Sequence, residues 1–378
     1  QNFLAIRLFL LIFPGRKFKF HIGWRIFESF DQVPMIDFQQ FPVWANFLIF
    51  AGATGAIFFS GVKIAKVADR LADRLGLGEA LTGAIFLGAS TSLSGLVTSC
   101  TAAADGYAQL AVSNAAGGIA AQTVFLTIAD IAYKKANLEH AAASAENIMQ
   151  GILLIGLLSI PLLALSTPEY HFMGIHPASI FLFAAYLFGI RQVALTRRHP
   201  MWRPHWTPQT KKDTPDTAGL QASLARLWTQ LVVFGIILSV SGWLVARNGI
   251  TISEQTGLSE TFVGGFFTAV STSLPELVTA VAAVRQGALT LAVGDIIGGN
   301  AFDTLFIAVA DVAYREGSIY HRIASEQVFI IDLGILLTAV LLMGLVRREK
   351  WGIANIGFES FLIVALYLFA LSLLFMTG

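Results

Sequence analysis

The chain has 378 residues, 55% hydrophobic and only 13% charged, with a mean hydropathy of +0.68. A soluble domain carries about a quarter charged residues and under half apolar ones, so a soluble protein of this composition would lack the polar surface to cover itself. A formal net charge of +1 says nothing about nucleic acid, but no basic stripe interleaved with aromatics appears, so no nucleic-acid partner is expected; the single cysteine, Cys100, excludes an intrachain disulfide and a cysteine metal cage.

Residues 1–42 form an N-terminal segment of their own. Its apolar run 3–13 contains Arg7 and is too short to span a bilayer; it reads as an interfacial helix, the end of a removed targeting segment, or appended sequence. Ten apolar stretches follow, near 44–65, 80–103, 108–132, 146–166, 178–196, 227–246, 261–284, 288–313, 328–346 and 357–376. Their lengths suit transmembrane helices, which need about 20 residues each. Residues 43–196 hold the first five and residues 227–378 the last five. Between them, residues 197–226 are rich in Pro, Thr and charge and read as a cytoplasmic linker. The third and eighth stretches are rich in Gly and Ala, which lets helices approach closely inside a bundle.

Five spans per half is an odd number, so the halves must enter the membrane from opposite sides. Basic residues test this, because cytoplasmic loops are enriched in Lys and Arg. With the start of the first span outside, 17 of the 25 basic residues fall inside, 3 (Arg247, Arg315 and Arg322) fall outside, and 5 lie in residues 1–42. The expected fold is an all-α, multi-pass membrane protein of ten transmembrane helices arranged as two inverted five-helix repeats. It belongs in a lipid bilayer, either the plasma membrane of a bacterium or an internal membrane. No sequence feature fixes an oligomeric state.

The repeat is visible directly. Ser90-Thr91-Ser92-Leu93-Ser94-Gly95-Leu96-Val97-Thr98 returns as Ser271-Thr272-Ser273-Leu274-Pro275-Glu276-Leu277-Val278-Thr279, an offset of 181 residues (271 less 90). The match runs without a gap to Tyr133 against Tyr314, with 21 of 44 positions identical. Two apolar halves with the same polar signature suggest a transporter whose ion site lies at the repeat interface.

Glu276 lies mid-span, close to Thr268, Thr272, Ser273 and Pro275. Proline removes a backbone donor and clashes with the preceding turn, so the helix is expected to loosen there. Loosened carbonyls and hydroxyls beside a carboxylate suit a hard cation, and a carboxylate within a membrane span is by default a functional-site hypothesis. Asp303 follows 27 residues later, on the next antiparallel helix, where the two carboxylates can face each other. Gly299 precedes Asp303 by four positions and leaves room on the same helix face. Asp295 reads as either a helix-start or a lumen residue. Asp130 and Asp311, at matching span ends, read as helix-end residues rather than ion ligands.

Ser273-Leu274-Pro275-Glu276 followed by Gly294-Asp295-Ile296-Ile297-Gly298-Gly299-Asn300-Ala301-Phe302-Asp303 resembles the second alpha repeat of the cation/calcium antiporters, the sodium/calcium exchanger superfamily. The resemblance covers roughly residues 43–376 and includes Gly76-Leu77-Gly78-Glu79 and Glu359. It implies cations bound midway across the membrane between helix pairs 2–3 and 7–8. Thr272, Ser273, Glu276 and Asp303 would be ligands from the second repeat, and Thr91, Ser92 and Gln122 from the first. Gly299 and Gly118 stand where the family has serines, and Gln122 where it has an asparagine. The chief departure is Ser94-Gly95, where the family has Pro-Glu. One of two symmetric glutamates is absent, which lowers the site's charge and weakens its hold on divalent ions.

These residues point to a secondary antiporter that exchanges Ca²⁺, or another cation, for Na⁺ or H⁺ by alternating access, with no resident cofactor. Protons compete because burial disfavours a carboxylate's charged form. The alternatives are a Na⁺/H⁺ exchanger that does not use Ca²⁺, a non-transporting sensor or scaffold with a degenerate site, and a passive channel. No P-loop, nucleophile elbow or HExxH pattern is present, so an enzyme is not expected.

Overall fold

The computed structural model describes residues 36–75, 88–133, 136–170, 174–198, 205, 223–350 and 357–377. Outside them lie most of the N-terminal segment, Gly76–Glu79 with the first residues of the second expected span, and most of the 197–226 linker. Among the described residues the regular elements are all helical. The first half contains α1 (Val43–Leu75), α2 (Leu93–Ala104), α3 (Ala108–Ala132), α4 (Ala145–Leu165) and α5 (Pro177–Arg198). The second contains α6 (Leu224–Thr256), α7 (Glu260–Thr272), α8 (Leu274–Gln286), α9 (Leu289–Ala313), α10 (Ser325–Arg347) and α11 (Phe358–Thr377).

Among the described residues eight of these helices are long and apolar enough to cross a bilayer, and α7 with α8, bent by 44°, is apolar enough to make a ninth if the pair crosses as one broken span. The short α2 is the first-half counterpart of α8. Helices α3 and α9 are the central pair: 78% and 72% of their apolar windows are buried, against 28% in α1 and α5. Outer helices instead turn large apolar side chains outward, among them Phe181 and Phe188 on α5 and Phe361 and Phe369 on α11. With no water to bond, a lipid-facing surface of this kind requires the backbone to satisfy itself, which a helix does.

Two helices are longer than their apolar stretches suggested. Both α1 and α6 run for 33 residues, or about 50 Å at 1.5 Å per residue, whereas a bilayer core needs about 30 Å. The end of α1 packs on the start of α6, with Val67 and Leu71 buried against Leu227, and the far end of α6 is held by Gln255, which accepts from Asn46 near the start of α1 and donates to the Phe41 carbonyl. Ala53, Ile57 and Ile64 bury against Leu238 and Val245. These contacts form apolar clusters separate from the main core, which the other helices build with Ile250 of α6.

The 181-residue offset persists in the packing. Where α2 and α8 end, Gly106 and Gly287 take positive φ values of 95° and 86°, a backbone that glycine adopts without strain. A Cβ on Gly61 of α1 would lie 2.2 Å from Pro275, and one on Gly242 of α6 would lie 2.4 Å from the Ser94 carbonyl oxygen. Each long helix therefore presses a glycine against the break in the opposite half. Asp130 accepts from Leu138 N, Gly357 N and Ser360 Oγ. Asp311 accepts from Ile319 N, His176 N and Ser179 Oγ, the positions one repeat away. Both aspartates are thus helix-end residues that tie one half to the other.

Candidate functional site

The signature serines mark the breaks in both halves. Ser273 (φ −96°, ψ 2°) separates α7 from α8, and Ser92 (φ −79°, ψ 3°) precedes α2. The break comes before Pro275, which occupies the first turn of α8, where a missing N–H is tolerated. The first half breaks at the matching place with no proline. The loosening expected at Pro275 is thus centred two residues earlier, on Ser273. Across the interface, Ser94 Oγ donates to the Thr272 carbonyl at 3.3 Å. Upstream, residues Val263–Thr268 form a π-helical turn, which widens α7 just before the break.

The two breaks and the two central helices enclose a cavity of about 10 Å³, the space of roughly one water molecule. Ser92, Gly95, Asn114, Gly118 and Gln122 line it from the first half; Thr272, Ser273, Glu276, Asp303 and Phe306 line it from the second. Glu276 and Asp303, 27 residues apart in sequence, are therefore brought to one place. Ser92 Oγ donates to Glu276 Oε1 at 3.3 Å. Gln122 Nε2 donates to Asp303 Oδ2 at 2.6 Å and to Ser273 Oγ at 3.2 Å. Each carboxylate thus takes a hydrogen bond from the opposite repeat.

The remaining polar atoms are acceptors without donors. Glu276 Oε2, Asp303 Oδ1 and Gln122 Oε1 are buried and have no hydrogen-bond partner. No lysine or arginine among the described residues is bridged to either carboxylate. Buried, unpaired acceptors of this kind are costly unless a positively charged or donating occupant fills the space between them. Among the described residues no cluster of three or more His, Cys, Asp or Glu is arranged to hold a metal, so the site's oxygen set is two carboxylates supplemented by amide and hydroxyl groups.

Six of the seven residues singled out from sequence line the cavity. Thr91 stands behind it, next to Glu276, with its hydroxyl bonded to the Gly88 carbonyl at 3.2 Å. Thr272 lines the cavity, but its hydroxyl bonds the Ala269 carbonyl in the same way. The absent serines have a local compensation: a Cβ on Gly299 would lie 3.6 Å from Gln122 Oε1, and one on Gly118 3.3 Å from Ser273 Oγ. The long Gln122 side chain extends over Gly299 into the room a serine would take. Asp295 is half-buried beside Asp69 and Thr279 and does not line the cavity.

Two further lining residues, Asn114 and Phe306, do not stand out in the sequence. Asn114 donates to Gly95 O and Ser99 Oγ and accepts from Thr268 Oγ1, so it braces the site with its polar atoms already engaged. It matches Asp295 in the repeat. Phe306 matches Phe125 in the repeat and looks in sequence like any core aromatic.

A bundle of inverted repeats that encloses a dicarboxylate cavity defines a multi-pass membrane transporter rather than an enzyme. The profile of the family described as sodium/calcium exchanger protein matches residues 45–190 and 226–376. The chain belongs to that family, and its class is that of a sodium/calcium exchanger-type cation antiporter. It is 25% identical over 290 residues to a putative antiporter, CaxA, of Alkalimonas amylolytica, covering 76% of this chain and 86% of the relative. The fold is shared with the sodium-calcium exchanger NCX_Mj, at a TM-score of 0.54 and 16% identity over 88% of this chain and 99% of that one. It is also shared with native YfkE, at a TM-score of 0.57 and 14% identity over 86% and 92%.

Proposed function

We propose that this antiporter carries its cation at Glu276 and Asp303, exchanging Ca²⁺ or another cation for Na⁺ or H⁺. Ser273, Ser92 and Gln122 complete the oxygen shell, Thr272 contributes to its wall, and Thr91 supports Glu276 from behind. The observation that carries this reading is the set of three donor-less oxygens, Glu276 Oε2, Asp303 Oδ1 and Gln122 Oε1, on residues around one small cavity. A cation supplies the missing partner for all three at once. Ca²⁺, Na⁺ and H⁺ are drawn to the same two carboxylates, so the ions compete and one must leave before the other binds.

Alternating access requires one helix group to move against the rest. The division in the apolar packing supports α1 with α6 as that group, because their mutual contacts are separate from the main core. Gly61 and Gly242 rest on the two breaks, so a shift of the pair acts directly on the segments that carry the site. The missing glutamate at Gly95 favours a second reading, Na⁺/H⁺ exchange without Ca²⁺, because fewer carboxylates weaken divalent binding.

One experiment separates these readings. Purified protein is reconstituted in liposomes, and ⁴⁵Ca²⁺ uptake is driven by an outward Na⁺ gradient or by a H⁺ gradient, for wild type and Glu276→Gln. Gradient-driven uptake that disappears in the variant supports calcium antiport and identifies the coupling ion. No uptake under either gradient from folded protein overturns the calcium reading; Na⁺ flux driven by a pH gradient then supports the second.

A further inference from the structure

Building on the proposed cation site, we infer that Phe306 sets how many cations it holds: the ring occupies the place of a first-repeat carboxylate and restricts the cavity to one cation. The symmetry of the chain gives Glu276 a counterpart at position 95, where this protein has glycine. That position is not vacant. A Cβ added to Gly95 would lie 2.9 Å from Phe306 Cε2 and 3.6 Å from Cζ, with Thr272 Oγ1 at 3.5 Å. A contact under 3 Å to a ring carbon is closer than packed atoms tolerate. Phe306 belongs to the cavity wall, is only 3% exposed, and has its ring set edge-on against Phe302 with centroids 6.1 Å apart.

The consequence is a lopsided site. From the second repeat come two carboxylates; from the first come neutral oxygens and, beside them, an aromatic face carried by α9. A phenyl ring has no lone pair to offer a cation in this position, and it excludes the water that a second, partly hydrated ion would keep. Around an ion the cavity leaves no spare room for a displaced ring. A longer side chain at position 95 therefore pushes Phe306 into the space of the ion, and the same α9 that supplies Asp303 also supplies the block. Gly95 and Phe306 act as a matched pair, and changing one without the other costs the site.

Binding is read on purified, folded protein as ²²Na⁺ and ⁴⁵Ca²⁺ retention, with a thermal melt to establish folding. Wild type is expected to bind with a Hill coefficient of 1. Gly95→Glu is expected to lose binding at least tenfold. Phe306→Ala is expected to keep a Hill coefficient of 1 with affinity weakened a few-fold, because it adds space and no charge. Gly95→Glu/Phe306→Ala is expected to recover binding with a Hill coefficient above 1 for Na⁺ and a tighter hold on Ca²⁺. Should the glutamate variants not fold, Gly95→Ala against Gly95→Ala/Phe306→Leu decides, with recovery in the double variant supporting the inference. Gly95→Glu binding as well as the double variant overturns it, as does a double variant no better than Gly95→Glu or a wild-type Hill coefficient near 2. The dependence on the proposed site is tested separately: wild-type binding of either ion that survives Glu276→Gln refutes that site itself, whatever Phe306 does.

Discussion

The two halves of the cavity share a sequence signature but line it with different chemistry. The second repeat places Glu276 and Asp303 at the cavity; the first places Gly95 and Gln122 at the matching positions. What the first half retains is donation: Ser92 hydrogen bonds Glu276, and Gln122 hydrogen bonds Asp303. One half holds the charge and the other orients it. The difference teaches that a symmetric scaffold does not need a symmetric site. The breaks, the pressed glycines and the helix-end aspartates stay matched, because each half packs against the other through them. The cavity residues differ between the halves.

The largest expected effect comes from the charged half. Glu276→Gln and Asp303→Asn each remove half of the site's negative charge within a buried cavity, and gradient-driven cation flux is expected to fall about 100-fold or more. Flux assays in proteoliposomes check this, and near-normal flux in both variants breaks the comparison. On the neutral half, Gln122→Leu leaves Asp303 Oδ2 without its donor at 2.6 Å. An orphaned acceptor costs about 1–3 kcal/mol, so a loss of about tenfold in cation affinity is expected, smaller than for either carboxylate. Competitive ²²Na⁺ binding measures it.

The pressed glycines test the matched part of the scaffold. Gly242→Ala places a methyl 2.4 Å from the Ser94 carbonyl oxygen, a backbone atom, whereas Gly61→Ala meets the Pro275 ring. Overpacking of this kind costs about 1–3 kcal/mol. Both variants are expected to melt lower than wild type and to transport more slowly, through the α1–α6 pair rather than through binding; unchanged rates in both would separate that pair from the transport cycle.

The smallest effect concerns pH. Glu139, on the short helix Leu138–Ala142, is buried and accepts from Ser360 Oγ, a hydroxyl that also serves Asp130. Burial, and then the neighbouring Asp130 carboxylate, push Glu139 up to about 7 from an ordinary 4.5, with Glu359 adding to the rise. The folded protein thus holds this proton over a range in which the unfolded chain has released it. Its contribution to stability is present in full below about 4.5 and is lost as pH rises through about 7. The melting temperature of wild type is expected to fall across that window by more than that of Glu139→Gln, which has no proton to lose. Parallel melting curves for the two proteins would contradict this assignment.

Much of this was legible in the sequence, for definite reasons. A polar residue in an apolar span is conspicuous, so Glu276, Asp303, Ser92, Ser273 and Gln122 could be picked out and are found around one cavity. The repeat is readable because an offset of 181 carries both sequence identity and contacts. Other features were hidden for equally physical reasons. The extra turns of α1 are amphipathic and pack on the start of α6, and those of α6 are largely polar and bond the start of α1, so a hydropathy window does not find them. The break falls on Ser273 rather than Pro275 because an early-turn proline is compatible with a helix start. Phe306 could not be distinguished from an ordinary core aromatic until Gly95 was seen beside it. Thr91 matched the signature and lies next to Glu276, though outside the cavity lining, with its hydroxyl also bonded to the Gly88 carbonyl.

The most direct measurement is equilibrium binding of ²²Na⁺ and ⁴⁵Ca²⁺ to purified wild type, Glu276→Gln, Asp303→Asn and Ser92→Ala. A saturable site for at least one of these ions is expected in wild type. That binding should disappear in both carboxylate variants and persist, weakened, in Ser92→Ala. Binding that survives both carboxylate substitutions, or a folded wild type that binds neither ion, would contradict a cation site carried by the second repeat.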